Sequence, residues 1–229
     1  MCRRAVETPG PRRGRVLRVL LAEAELELVP DEVAGHPSVR RHAKLMGRKP
    51  GQLLLDQNSH QQACRQLPEG ERRGRPDITQ HTLLVLLESP LCKQGGLEVA
   101  IHTRHGELIR IRPDTRLPRG ETRFQGLMAK VLAERASQDK DPLVWVEATC
   151  TPQQALERFA QGPVARLDEG GNALTPPDVK GDRTFVLGAY PSGAWSAAWQ
   201  KAAPETASVF PEPLNAWAVA AELTAWARL

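Results

Sequence analysis

The chain has 229 residues, 41% of them apolar, enough to bury one substantial core and to argue for one principal domain. Lysine and arginine exceed aspartate and glutamate by 31 to 27, a formal charge of +4, so bulk charge favours an anionic partner only weakly. The 4 cysteines lack the short paired spacing of a zinc site or redox dithiol, and no signal-peptide or membrane-spanning apolar run follows the N-terminal stretch, which together fit a reduced, cytoplasmic protein.

Residues 1–14, rich in Arg, Pro and Gly, read as a disordered basic tail. Apolar and charged residues then nearly alternate over 16–29, which predicts a core strand running into a more exposed segment. A short basic helix is predicted over 36–49, closed by Gly47 and Pro50, and a short apolar strand over 52–55. Dense Leu and Val behind an acidic residue predict a buried helix over 77–89. Two β-prone runs around Arg104, His105 and Gly106 predict a hairpin over 97–112. Pro113 and Pro118 keep the next segment irregular, so Arg116 and Arg119 fall on a loop, and Arg123 opens a helix to about Arg135.

Beyond it, strands at 143–146 and 164–167 flank a helix at 153–159, and strands follow at 184–189 and 208–210. Pro213 opens a C-terminal helix that is apolar around most of its circumference, with Leu214, Trp217, Ala221 and Thr224 on one stripe. Burial on two sides, against a core and a second subunit, is the expectation for it. Strands alternating with helices predict an α/β domain.

Gly188 and Gly193 bracket a loop behind a strand, with the glycine spacing of a phosphate-binding loop. Ala194 and Trp195 stand where such a loop needs Lys and Ser or Thr, which argues against a nucleoside triphosphate. His102 and His105 have no Cys or carboxylate ligand set in their neighbourhood of the sequence, so no metal is assigned. Arginines gather in two groups, Arg72, Arg73 and Arg75, then Arg110, Arg112, Arg116, Arg119 and Arg123, and such groups can bind phosphates.

Ordered blocks carry a family resemblance: HPSVRRHAK at 36–44, LLLDQ at 53–57, RRGRPDI at 72–78, SPL at 89–91, IHT at 101–103, DTRLPR at 114–119, RFQGLM at 123–128, VLGAYPSG at 186–193 and SVFPEPLNAWAV at 208–219. Over about residues 15–229 the chain resembles the SPOUT-class, pseudouridine-N(1)-specific methyltransferases of small-subunit ribosomal RNA found in archaea and eukaryotes, a family with a role in ribosome assembly. The resemblance implies an α/β fold with a SPOUT-type parallel sheet, a C-terminal trefoil knot at about 160–229, an inserted hairpin and arginine-rich lobe, and a homodimer. It implies S-adenosylmethionine held at Gly188 and Gly193 and at Val209, Phe210, Pro211, Glu212, Pro213 and Leu214, with Ala165 as a further contact. Ser192 departs from the His expected before the second glycine.

On the RNA side the resemblance assigns Arg75, Arg116, Arg119 and Arg123, with Asp77 steadying the first of them. A carboxylate two residues away can hold a guanidinium fork in one direction. No side chain is nominated as the proton acceptor. An assembly factor that binds ribosomal RNA with methylation dispensable would use the same arginines, and an α/β nucleic-acid binder without cofactor is the third class. Titration with S-adenosylmethionine discriminates among them.

Overall fold

A computed structural model describes residues 16–135 and 140–229; the tail expected at 1–14 lies outside them. β1 (Leu17–Ala24) is buried along its whole length because it has a parallel strand on each side and helices over both faces. Three helices follow, α1 (Asp31–Ala34), α2 (Pro37–Met46) and α3 (Gln57–Cys64), packed around a separate apolar cluster that includes Val29, Val39, Leu55 and Leu67. Next come α4 (Pro76–Glu88), α5 (Pro90–Lys93), β2 (Leu97–Thr103), β3 (Glu107–Ile111), α6 (Glu121–Glu134) and β4 (Val144–Thr149). The remainder alternates through α7 (Pro152–Phe159), β5 (Val164–Ala173), α8 (Pro176–Val179), β6 (Arg183–Gly188), α9 (Ala197–Ala202), β7 (Thr206–Ser208) and α10 (Ala216–Trp226).

The sheet has 7 strands in the order β4-β3-β2-β1-β6-β5-β7. From β2 to β7 every pairing is parallel, whereas β3 and β4 join by antiparallel pairing at the other edge. The hairpin therefore extends the main sheet, while α1, α2 and α3 pack around an apolar cluster of their own. Leu17, Val19 and Leu21 point into a larger core with Leu83, Phe124 and Leu223, while Leu20 and Ala22 point the other way, toward Leu156, Phe159 and Trp199.

Several expectations shift, each for a local reason. The end of β1 and the segment after it are not exposed: Glu23, Glu25 and Glu27 are all buried, because arginines distant in sequence neutralise them. Residues 52–55 are not a strand, since Pro50–Gln52 forms a 3-10 turn and Leu54 makes only an isolated bridge to Leu28. The strand expected at 208–210 lies at Thr206–Ser208, because the Ser208 hydroxyl bonds the Phe210 backbone and turns the chain. The last helix starts at Ala216 rather than Pro213 and buries Val219, Ala220, Leu223 and Thr224; of the expected stripe, Leu214 and Ala221 are exposed. The short helices α1, α3, α5, α8 and α9 fall outside the predicted elements.

His60 is fully buried in the helical lobe, its Nδ1 accepting the Asp56 N–H at 3.1 Å and its Nε2 lying 2.9 Å from His42 Nδ1. Burial, with His42 adding to it, lowers its pKa to about 4 from 6.5. The unfolded chain thus takes up this proton first on acidification, so stability present at neutral pH falls from about pH 6.5 toward about pH 4. The full loss is about 3 kcal/mol. Urea midpoints measured across that window should drop in the wild type and stay flatter in His60→Gln; parallel profiles would refute the assignment.

Candidate functional site

Two loops leave the carboxyl ends of the parallel strands β6 and β7 and face each other across a cleft of about 770 Å3. Gly188, Gly193, Val209, Phe210, Glu212, Pro213 and Leu214 all line it. Two residues assigned with them do not: Ala165, on β5, pairs with Phe185 of β6 and packs against the main core, and Pro211 is exposed. The lining also includes Tyr190, inside the expected 188–193 loop, and Asp168, Glu169 and Trp217, which the sequence did not assign to the site. Asp168 stands one residue past the strand expected at 164–167, and that position beside a parallel strand was its only signal.

The two glycines serve different ends. A Cβ at Gly188 would lie 2.8 Å from Tyr190 Cε1 and 3.3 Å from Trp195 Cζ2, so this glycine makes room for an edge-on aromatic pair with centroids 5.4 Å apart. That differs from the expected role of admitting a ligand to the backbone. Gly193 has φ +99°, a conformation that side chains disfavour, and only Arg72 Nη1 at 3.9 Å comes near its missing Cβ. Burial, with Glu23 adding to it, pushes the Tyr190 phenol up, so this hydroxyl stays protonated at neutral pH.

On the adjoining face, α4 organises the arginines from its first turns. Asp77 grips Arg75 with two hydrogen bonds of 2.8 Å, Nε to Oδ1 and Nη2 to Oδ2. Burial pushes the Asp77 carboxyl up, but the Arg75 hydrogen bonds and charge outweigh it and leave the pKa lowered. One turn on, buried Gln80 donates to the carbonyls of Pro118 and Arg119 at 3.2 and 3.1 Å and pins the arginine loop. Within that loop Thr115 and Leu117 tuck inward, leaving Arg116 and Arg119 exposed, and Arg123 is exposed at the start of α6.

Among the described residues, Arg116, Arg119 and Arg123 make no ion pair, whereas Arg72, Arg73, Arg75, Arg110 and Arg112 all do. Arg75 also lines the cleft, so the cleft and the arginine face share one wall. The histidines weighed as metal ligands have other contacts: His102 Nε2 lies 2.9 Å from the Cys150 carbonyl, and His105 lies beside Glu27.

Open α/β sheets take their ligands at the carboxyl ends of their strands, and unpaired arginines beside such a cleft suit a phosphate backbone. Fold and site thus define an α/β domain with a cleft at the carboxyl ends of its strands and an adjoining face of unpaired arginines. The EMG1/NEP1 methyltransferase family model matches residues 19–227, and the chain belongs to that family. It is 37% identical over 211 residues to a ribosomal RNA small subunit methyltransferase Nep1 of Methanothrix thermoacetophila, spanning 91% of this chain and 93% of the relative. The Archaeoglobus fulgidus protein of the same name is 39% identical over 171 residues, covering 75% and 76%. A crystal structure of Archaeoglobus fulgidus Nep1 bound to S-adenosylhomocysteine superposes with TM-score 0.83 at 32% identity, covering 94% of this chain and 97% of that one.

Proposed function

We propose that this chain methylates the N(1) nitrogen of a pseudouridine in small-subunit ribosomal RNA, using S-adenosylmethionine, as one methyltransferase domain over 15–229 with its chain knotted at about 160–229. The observation that carries the reading is the cleft between the loops after β6 and β7, with Arg75 on its wall. Its lining fits the cofactor: loop backbone for an adenosine, and the carboxylates Asp168, Glu169 and Glu212 for a ligand with sulfonium and ammonium charges. When bound, S-adenosylmethionine supplies an electrophilic methyl group.

The chain's own part is positioning. Gly193 and the 209–215 loop shape the cleft, Arg75 held by Asp77 orients RNA at its mouth, and Arg116, Arg119 and Arg123 hold the flanking phosphates. The target base leaves its stack to enter the cleft. No metal is required, and the reaction is assigned to the cytoplasm. Two chains act as a homodimer; Phe210 and Leu214, 49% and 42% exposed beside Trp217, offer an apolar patch for the second copy.

The test is label transfer from S-adenosylmethionine to RNA hairpins carrying one pseudouridine or one uridine, with a chelator present and the sample's mass followed by light scattering. Label on the pseudouridine hairpin alone, from a dimer, is the expected result. Tight hairpin binding without label, at saturating cofactor, favours the assembly-factor reading. In the same hairpin, Arg119→Ala should reduce the salt slope of binding by about one phosphate contact. Asp77→Gly should leave that slope near wild type while releasing Arg75, lowering discrimination between pseudouridine and uridine. Wild-type salt dependence in Arg119→Ala would rule out that residue's role.

A further inference from the structure

The geometry points to Arg72 as a positioning residue that couples the RNA face to the cofactor loop, an inference that rests on the function proposed above. Residues 69–75 form a strap between α3 and α4, and Arg72 is its link to the loop after β6. Its guanidinium lies 3.7 Å from the centroid of the Tyr190 ring and donates from Nη1 to the Ala194 carbonyl at 3.1 Å. Both partners belong to the loop after β6.

The opposite side of the same guanidinium is held by buried carboxylates. Arg72 pairs with Glu23, and its Nε donates to Glu25 at 3.2 Å. Glu23 also accepts the Ser196 N–H at 2.9 Å, at the far end of the same loop. Glu25 is 1% exposed and takes a second cation, Arg104, at 2.9 Å, which reaches back to Glu69 at the start of the strap. Strap, carboxylates and loop therefore form one connected set with Arg72 at its centre.

Three residues beyond Arg72 the strap delivers Arg75 to the cleft wall, gripped by Asp77. RNA that engages Arg75 and the neighbouring arginines bears on the strap, and through Arg72 on the loop that shapes the cofactor cleft. Ligands that favour the same arrangement of one shared element bind with positive coupling, and the coupling is reciprocal. A lysine at 72 keeps the charge but lacks the planar fork that stacks on Tyr190 while bonding two carboxylates and a carbonyl.

The experiment measures S-adenosylhomocysteine affinity with and without saturating hairpin RNA, and RNA affinity with and without S-adenosylhomocysteine. The wild type should show the same tightening in both directions, between about 5- and 150-fold. Arg72→Lys and Arg72→Ala should each bring that factor close to one while keeping RNA binding through Arg119. Arg104→Ala, which strips the same Glu25 but touches no cofactor-loop residue, should lower thermal stability and leave cofactor affinity near wild type. Arg72→Lys carries the test if Arg72→Ala does not fold. Full coupling in Arg72→Lys, or no coupling in a wild type that binds both ligands, overturns the proposal and leaves the methyltransferase reading standing. A wild type that binds neither ligand overturns both.

Discussion

Glu27→Ala is expected to lower the unfolding free energy by about 3–5 kcal/mol. Glu27 and Arg73 are 3% and 8% exposed, and they meet in a two-pronged pair, Nε to Oε1 at 2.8 Å and Nη2 to Oε2 at 2.6 Å, with His105 Nε2 at 3.1 Å. Burial pushes the Glu27 carboxyl up, but hydrogen bonds from Arg73 and His105 outweigh it and hold the pKa below the ordinary range. Removing the carboxylate leaves the Arg73 guanidinium inside the protein without a counter-charge, and that desolvation is the source of the loss. Replacing both partners together, Glu27→Leu with Arg73→Met, should recover most of it, because neither partner then leaves the other buried without its counter-charge. Urea unfolding of the two variants decides the point. A single-variant loss below about 1 kcal/mol would mean that the pair behaves as a solvated one.

Gly193→Val is expected to weaken S-adenosylhomocysteine binding about 100-fold or more while the sheet stays folded, an effect of roughly 3 kcal/mol. At φ +99° a β-branched residue must move the backbone, since valine disfavours positive φ. Space is not the obstacle, because the missing Cβ has only Arg72 Nη1 within 4 Å, at 3.9 Å. The strain is therefore released by reshaping the 189–196 loop, which is exposed at Ser192, Gly193 and Ala194, rather than by disturbing the core. Calorimetric titration alongside a thermal melt separates the two outcomes. Wild-type affinity in a folded Gly193→Val variant would move the cofactor site away from this loop.

The amino-acid sequence by itself determined the elements whose signal is local. The core placement of β1 and the buried face of α4 follow from their apolar density, and the β2–β3 hairpin from two β-prone runs about a glycine turn. The ordered blocks from HPSVRRHAK to SVFPEPLNAWAV were enough to identify the family, and most of the residues they nominated for the cofactor do meet around one cleft. Only the tertiary structure decided that Glu23, Glu25 and Glu27 are buried: alternation with apolar residues reads as an exposed segment, while their arginine partners lie 46 to 79 positions away. The site's unforeseen walls have the same origin. Asp168 comes to the expected 188–193 loop across one cleft because β5 and β6 pair in parallel with α8 between them, a sheet order that no periodicity along the chain encodes. Hydrophobic pattern reports which face of an element is inside, but charge pairing and cleft lining depend on which elements lie side by side.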